Sequence, residues 1–165
     1  AIKSGIGGAT LCLPNGLVIG ALVIVNALGD VIDPASGQII AGARRPPGQS
    51  GGKFVDTLEV LKAFAGQASQ PTASGNNTTI GLVATNAELN KEQATFVAQM
   101  AQDGLARAIR PAHTLLDGDT IFTLASGELP ADLNLVGALA AEVFAHAILR
   151  AVQAARPAAG LPAAA

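Results

Sequence analysis

The sequence predicts an α+β protein whose sheet layers are covered by helices, and three observations predict it. Short apolar segments bounded by turn residues recur through the first half of the chain. Two longer segments with apolar residues three and four apart follow in the second half. The strand segments are apolar at successive positions, which is the pattern of strands buried on both faces. A four-layer α/β/β/α sandwich satisfies this pattern, and a three-layer α/β arrangement satisfies it equally.

The 165 residues, 50% of them apolar, suffice for one domain, residues 1–165, with a sizeable core. Nineteen glycines, a single cysteine and five aromatics, all Phe, describe small aliphatic packing with close backbone approach. One cysteine builds no disulfide scaffold, which favours an intracellular and hence cytoplasmic protein. The net charge of -2, with basic residues scattered apart from Arg44-Arg45, gives no footprint for nucleic acid. The apolar passage 16–28 contains Asn26 and breaks at Gly29-Asp30, too short for a membrane helix, so no membrane partner is expected. The first eight residues lack the apolar core of a signal peptide and start without Met, as though inside a fold, so a fragment or processed product is expected.

Residues 9–13 and 17–25 are strand candidates around Pro14-Asn15-Gly16, where Asn-Gly is a strong hairpin signal. Residues 31–33 and 38–41 repeat the pattern around Pro34-Ala35-Ser36-Gly37, making a meander of short strands. The Pro- and Gly-rich stretch 44–52 is a loop or linker, residues 57–65 form one helix, and 66–77 returns to exposed, easily cut polar residues. Residues 79–84 form a strand too apolar to have a wet face. Asn90 then caps a helix with Gln93 completing a capping box, and Val97, Met100 or Ala101, Leu105 and Ala108 or Ile109 make its buried stripe before Pro111 stops it. Residues 120–124 form another buried strand, and 135–152 a second helix with Leu139, Val143, Ala147 and Ala151 on one side. The tail from Pro157 is expected to fray.

The loop Gly75-Asn76-Asn77-Thr78-Thr79-Ile80 carries the sharpest chemical possibility. Cutting the Asn77-Thr78 bond gives Thr78 a free α-amine, whose ordinary pKa of roughly 7.7 to 8.0 suits a base beside its own hydroxyl. The self-cleavage itself needs the Thr78 hydroxyl to attack the Asn77 carbonyl. The plain alternative is that Thr78 and Thr79 are ordinary strand formers. Asp117-Gly118-Asp119-Thr120 places two carboxylates at a strand start, where convergence raises one pKa and either group can orient Thr78; the alternative is a solvated Asp-Gly turn. Asn26 ends the most apolar strand, where an amide needs a partner, and it either closes a turn with Gly29 or donates to an oxyanion. Arg110 caps carbonyls or pairs with an acid, Cys12 reads as core, and His113, close to Asp117, and His146 read as structural. Two histidines and one cysteine make a metal site improbable, and no cofactor motif is present: Gly5, Gly7 and Gly8 approach a dinucleotide fingerprint but precede a hairpin strand.

Three stretches carry a resemblance to a known family: Gly5-Ile6-Gly7-Gly8-Ala9 with Gly20-Ala21-Leu22-Val23 and Val25-Asn26-Ala27; residues 78–86; and Arg110-Pro111-Ala112-His113-Thr114 running into Asp117-Gly118-Asp119-Thr120. They resemble the DmpA-like N-terminal-nucleophile hydrolases, which include L-aminopeptidase/D-amidase/esterases, β-peptidyl aminopeptidases and nylon-oligomer hydrolases. The resemblance covers nearly the whole chain apart from residues 42–76 and the tail. It implies an α/β/β/α sandwich, self-cleavage between Asn77 and Thr78, residues 1–77 as the end of a large subunit and 78–165 as a small one. It also implies Thr78 as nucleophile, Asn26 as oxyanion or positioning group, and Asp117 and Asp119 as groups orienting the nucleophile. Lys3 lies near the position of a lysine used by the nylon-oligomer branch, although the matching lysine is expected before residue 1.

The resemblance further implies that the two fragments stay associated and assemble into a tetramer of heterodimers. Serine stands at the position of Thr78 in the aminopeptidase members, so the threonine points to the nylon-hydrolase side. The expected substrate is a small peptide or amide. Two rivals remain: a self-cleaving acyltransferase of the ornithine-acetyltransferase type, and a non-catalytic homologue.

Overall fold

A computed structural model of the chain describes residues 3–48, 50–65 and 77–164. Ile6–Cys12 (β1) and Val18–Ile24 (β2) form the hairpin that Pro14-Asn15-Gly16 signals, with Gly16 at φ 87 and the Asn15 side chain accepting the Leu17 N–H at 3.1 Å. The second pair is not a continuation of this meander. Asp30–Ile32 (β3) and Ile39–Ala41 (β4) join Ile109–Arg110 (β6) in a separate three-stranded sheet ordered β4-β3-β6. Its partners β3 and β6, paired at Asp30↔Arg110 and Val31↔Ile109, lie about eighty residues apart in sequence, a relation that local turn signals do not carry.

The larger sheet is ordered β1-β2-β5-β7, where β5 is Ile80–Ala87 and β7 is Thr120–Leu129. β2 pairs antiparallel with β5 from Ile19↔Thr85 to Ile24↔Ile80, and β5 pairs parallel with β7. A parallel pair needs a crossover, supplied by Lys91–Ala108 (α2). The capping box of Asn90 and Gln93 starts α2, and Val97, Ala101, Gly104, Leu105 and Ala108 are its buried stripe. Leu133–Gln153 (α3) starts at an Asp132 cap and packs against α2, β1 and β2. Its buried set is wider than one stripe and centres on Ala140 and Phe144 instead of Leu139, because a helix covers it on one side and a sheet on the other. By length and composition α3 is apolar enough to cross a membrane, and 61% of its apolar window is buried inside the fold.

Both long helices lie on one face of the sheet. Ala9, Ile19, Val23 and Val83 alternate into that face, while Ile24, Ile80, Phe122 and Leu124 alternate out of it and are about half exposed. The strands' apolar composition on both faces is therefore real, but among the described residues only one face is covered. Among the described residues, three layers with helices on both sides do not form. What forms is one helix layer and its sheet, with an open apolar face of the kind that packs against another sheet in a four-layer sandwich.

The fit between β1 and α3 is close enough to forbid a side chain. A Cβ at Gly7 would stand 2.3 Å from both the Ala147 carbonyl oxygen and the Ala151 nitrogen of α3, backbone atoms with nowhere to go. Gly7→Ala is expected to lower stability by about 1–3 kcal/mol, read as a fall in Tm on thermal unfolding.

Thr57–Ala63 (α1) ends the described part of the linker. Asp56 caps it, Asp30 accepts the Thr57 N–H at 2.7 Å, and Arg110 reaches Asp56 at 3.1 Å, so α1 is tied to both β3 and β6. Burial raises the Asp30 carboxyl above its ordinary value, against the lowering effect of that Thr57 bond. Two expectations are corrected here. Cys12 is exposed, since it falls on the open face at the end of β1. The tail does not fray: Arg44 and Lys53 each donate at 2.6 Å to the carbonyls of Ala163 and Ala164, and both alanines are buried.

Candidate functional site

The site is assembled by the parallel register of β5 and β7. Ile80 stands opposite Thr120 and Gly81 opposite Ile121, a constant offset of forty residues. Carried back past the strand starts, the same offset brings Asn77 opposite Asp117, where an isolated parallel bridge forms, and Thr78 beside Gly118. The polar loop and the Asp-Gly-Asp motif therefore meet because one strand pairing aligns them. Gly75 and Asn76 lie outside the described residues.

Thr78 sits against the bond that precedes it. Its Oγ1 donates to the Asn77 carbonyl oxygen at 2.6 Å, and the Gly118 N–H donates to the same oxygen at 2.9 Å. The Thr78 N–H donates to the Asn26 carbonyl at 2.8 Å. A hydroxyl, a backbone donor on the neighbouring carbonyl oxygen, and a carbonyl accepting the Thr78 N–H are thus collected at one peptide bond. Such an arrangement suits an acyl shift from nitrogen to oxygen, in which Oγ1 would bond to the Asn77 carbon, the Gly118 N–H would hold the oxyanion, and the Asn77–Thr78 C–N bond would break as the Oγ1 proton passes to the nitrogen.

The two carboxylates take different places. Asp119 Oδ1 accepts the Thr79 N–H at 2.7 Å, and its side chain is 4% exposed. Asp117 Oδ2 accepts the N–H and hydroxyl of Thr114 at 3.1 and 2.8 Å, and its Oδ1 accepts the Leu28 N–H at 3.4 Å. Asp117 thus closes its own loop and fastens it to the stretch after Asn26. Neither carboxylate has a described bond to the Thr78 side chain. The alternation explains this: Thr78 continues the open-face positions of β5, whereas Thr79, fully buried, and Asp119 continue the helix-covered side. Burial raises the Asp119 carboxyl above its ordinary value, and the neighbouring Asp117 adds to the rise, while the Thr79 bond and His113 oppose it.

Asn26 is exposed, contrary to the expectation of a costly buried amide, because it continues the open-face alternation of Leu22 and Ile24 just past β2. Its backbone carbonyl is what reaches Thr78. With Ser4, Gly29, Gly42 and Asn77 it lines a cavity of about 240 Å³ beside the Asn77-Thr78 bond. Lys3 turns its ammonium to the adjacent Ser4 carbonyl and donates its backbone N–H to Pro162. Arg110 pairs with Asp56, as an acid partner requires. Among the described residues, no group of three or more His, Cys, Asp or Glu is placed to hold a metal ion.

Sequence reasoning missed Gly118 as a donor and His113 as a neighbour of Asp119, its Nδ1 standing 3.8 Å from Asp119 Oδ2. The only signal for either was their place in the loop before β7, which means nothing until the register with β5 is known.

Thr78 stands two residues ahead of β5 in the helix-covered sheet. The chain belongs to peptidase family S58, whose profile matches residues 1–164. It is 42% identical to an uncharacterized aminopeptidase of Mycobacterium leprae over 98% of this chain and 47% of that protein. It is 30% identical to a 6-aminohexanoate-oligomer endohydrolase of Kocuria sp. over 81% of this chain and 40% of that protein. The fold matches the L-aminopeptidase D-Ala-esterase/amidase of Ochrobactrum anthropi, described as a variant of the Ntn hydrolase fold, with a TM-score of 0.59 and 19% identity over 93% of this chain and 41% of that one. The chain spans about half the length of the curated relatives it matches.

Proposed function

We propose that this chain is the self-processing part of an N-terminal-threonine amidohydrolase, cut between Asn77 and Thr78, that hydrolyses small peptides, amino-acid amides or related oligomers. The observation that carries the reading is the Thr78 hydroxyl 2.6 Å from the Asn77 carbonyl oxygen, with the Gly118 N–H on that oxygen. After the acyl shift, water hydrolyses the ester and leaves the Asn77 carboxylate and a free Thr78 α-amine beside the Asn26 carbonyl. In turnover that amine takes the Oγ1 proton as Oγ1 attacks the substrate amide. The leaving amine departs with a proton, and water releases the acyl group from Thr78. Asn26 lines the cavity on the acyl side and serves as oxyanion or positioning group; Asp119 fixes the chain at Thr79, and Asp117 fixes the loop that carries Gly118.

The cavity lined by Asn26 and Asn77 has no ionised side chain in its lining, which fits an uncharged acyl portion. The similarity to a 6-aminohexanoate-oligomer endohydrolase supports the oligomer branch of substrates, and the similarity to an aminopeptidase supports small peptides. The two fragments stay together, because β2 on one side of the cut pairs along its length with β5 on the other, and the heterodimers form a homotetramer. The single cysteine fits a cytoplasmic location.

Edman sequencing and intact-mass measurement of the purified full-length protein test the reading. Two copurifying fragments are expected, the smaller beginning Thr-Thr-Ile-Gly, together with release of amine from a peptide amide. One uncut chain without hydrolysis would overturn it. Acyl transfer to an added amine in preference to water would favour the acyltransferase.

A further inference from the structure

His113 occupies a position that an ordinary loop histidine does not. Its backbone sits at φ 55, a left-handed conformation uncommon for residues other than glycine and strained unless the surroundings hold it. Its Nδ1 faces Asp119 Oδ2 at 3.8 Å, and that oxygen belongs to a side chain only 4% exposed, whereas the imidazole is 43% exposed. The other oxygen of Asp119 is committed to the Thr79 N–H. The remaining charged groups of this region are turned elsewhere or oppose the pair. Asp117 holds Thr114 on the same loop, and Arg110 at the loop's start reaches across to Asp56 at the start of α1.

We infer that His113 is a positioning residue: its imidazole holds the outer oxygen of Asp119, and through the Asp119–Thr79 hydrogen bond it keeps the backbone seated at the nucleophile Thr78. An exposed His–Asp contact by itself contributes little to stability, so the role lies elsewhere. Burial and the neighbouring Asp117 favour the protonated carboxyl, which accepts the Thr79 N–H more weakly than the carboxylate does, and the charge of His113 opposes that rise. Without it, Asp119 takes up a proton at higher pH, the Thr79 bond weakens, and the site loses its seat from the acid side first. The catalytic part of this inference rests on the function proposed above; the contact between His113 and Asp119 does not.

The test uses the full-length protein with His113→Asn, which tolerates a left-handed backbone and removes the imidazole, and His113→Lys, which places a positive charge there. The carboxyl ¹³C signal of Asp119, assigned by its loss in Asp119→Asn, is titrated in each, and kcat/KM for a peptide amide is followed against pH. In H113N the Asp119 midpoint is expected to rise by about one pH unit, with about a ten-fold loss of kcat/KM on the acid limb and little change on the plateau. H113K is expected to return the midpoint most of the way. An Asp119 midpoint in H113N equal to that of the parent, or a lower Tm with no movement of the pH profile, would overturn the inference. If the parent shows no turnover, the proposed function falls while the NMR titration still decides the role of His113.

Discussion

Thr78→Ala is expected to yield one uncut chain with turnover lost by at least about 10⁴-fold, the scale of removing a nucleophile that works as part of a unit. The Thr78 hydroxyl is the one seated on the Asn77 carbonyl oxygen. Thr79, next along the chain, points to the helix-covered side and is fully buried, so it cannot take over. Thr78→Ser is expected to keep both self-cleavage and hydrolysis at reduced rates. Serine retains the hydroxyl and, after cleavage, the α-amine, but it loses the β-methyl that restricts χ1 and holds Oγ1 against the carbonyl. Intact-mass spectra of T78A and T78S, with amine release measured on the same samples, check both statements. A T78A protein that is still cut before residue 78 would mean that the attacking group is elsewhere.

How far the sequence discloses this site depends on the range of the interactions that build it. The Asn-Gly hairpin and the Asn90/Gln93 capping box are local and were legible with their roles. So was the junction of a polar loop with an apolar strand at Thr78, and the Asp-Gly-Asp cluster ahead of β7. What was not legible depends on pairing over long separations. The strands around residues 31 and 40 look like more of the first meander until Ile109 is seen to pair with Val31. Cys12 reads as core until the open face is known, and the Ala-rich tail reads as frayed until Arg44 and Lys53 are seen to hold its carbonyls. In the site, spacing alone places two carboxylates near Thr78 but does not say on which side of the strand. The alternation of β5 and β7 puts Asp119 on the covered side, so that it meets the backbone of Thr79 and not the hydroxyl of Thr78. The same fact turns His113 from a bystander into a neighbour of the site.

The smallest residue of the motif gives the second large effect. Gly118→Ala is expected to slow self-cleavage by about 10²-fold, the loss that follows when a reacting group is displaced by about 1 Å. A Cβ at Gly118 would lie 2.9 Å from Thr78 Oγ1 and 3.7 Å from its methyl group, so the threonine side chain must turn away from the Asn77 carbonyl to make room. That turn is available to the partly exposed Thr78 side chain, and Gly118 is not among the glycines with positive φ. Alanine at this position therefore strains no backbone, and Tm should change little. The Gly118 N–H also survives in the variant, so the loss isolates the placement of the nucleophile from the stabilisation of the oxyanion. A time course of fragment appearance, followed by intact mass beside a thermal melt, reads the two quantities together. Processing at the parent rate in a folded G118A would show that the Thr78 hydroxyl does not attack from the position it holds beside Gly118, and the mechanism drawn from that contact would have to be abandoned.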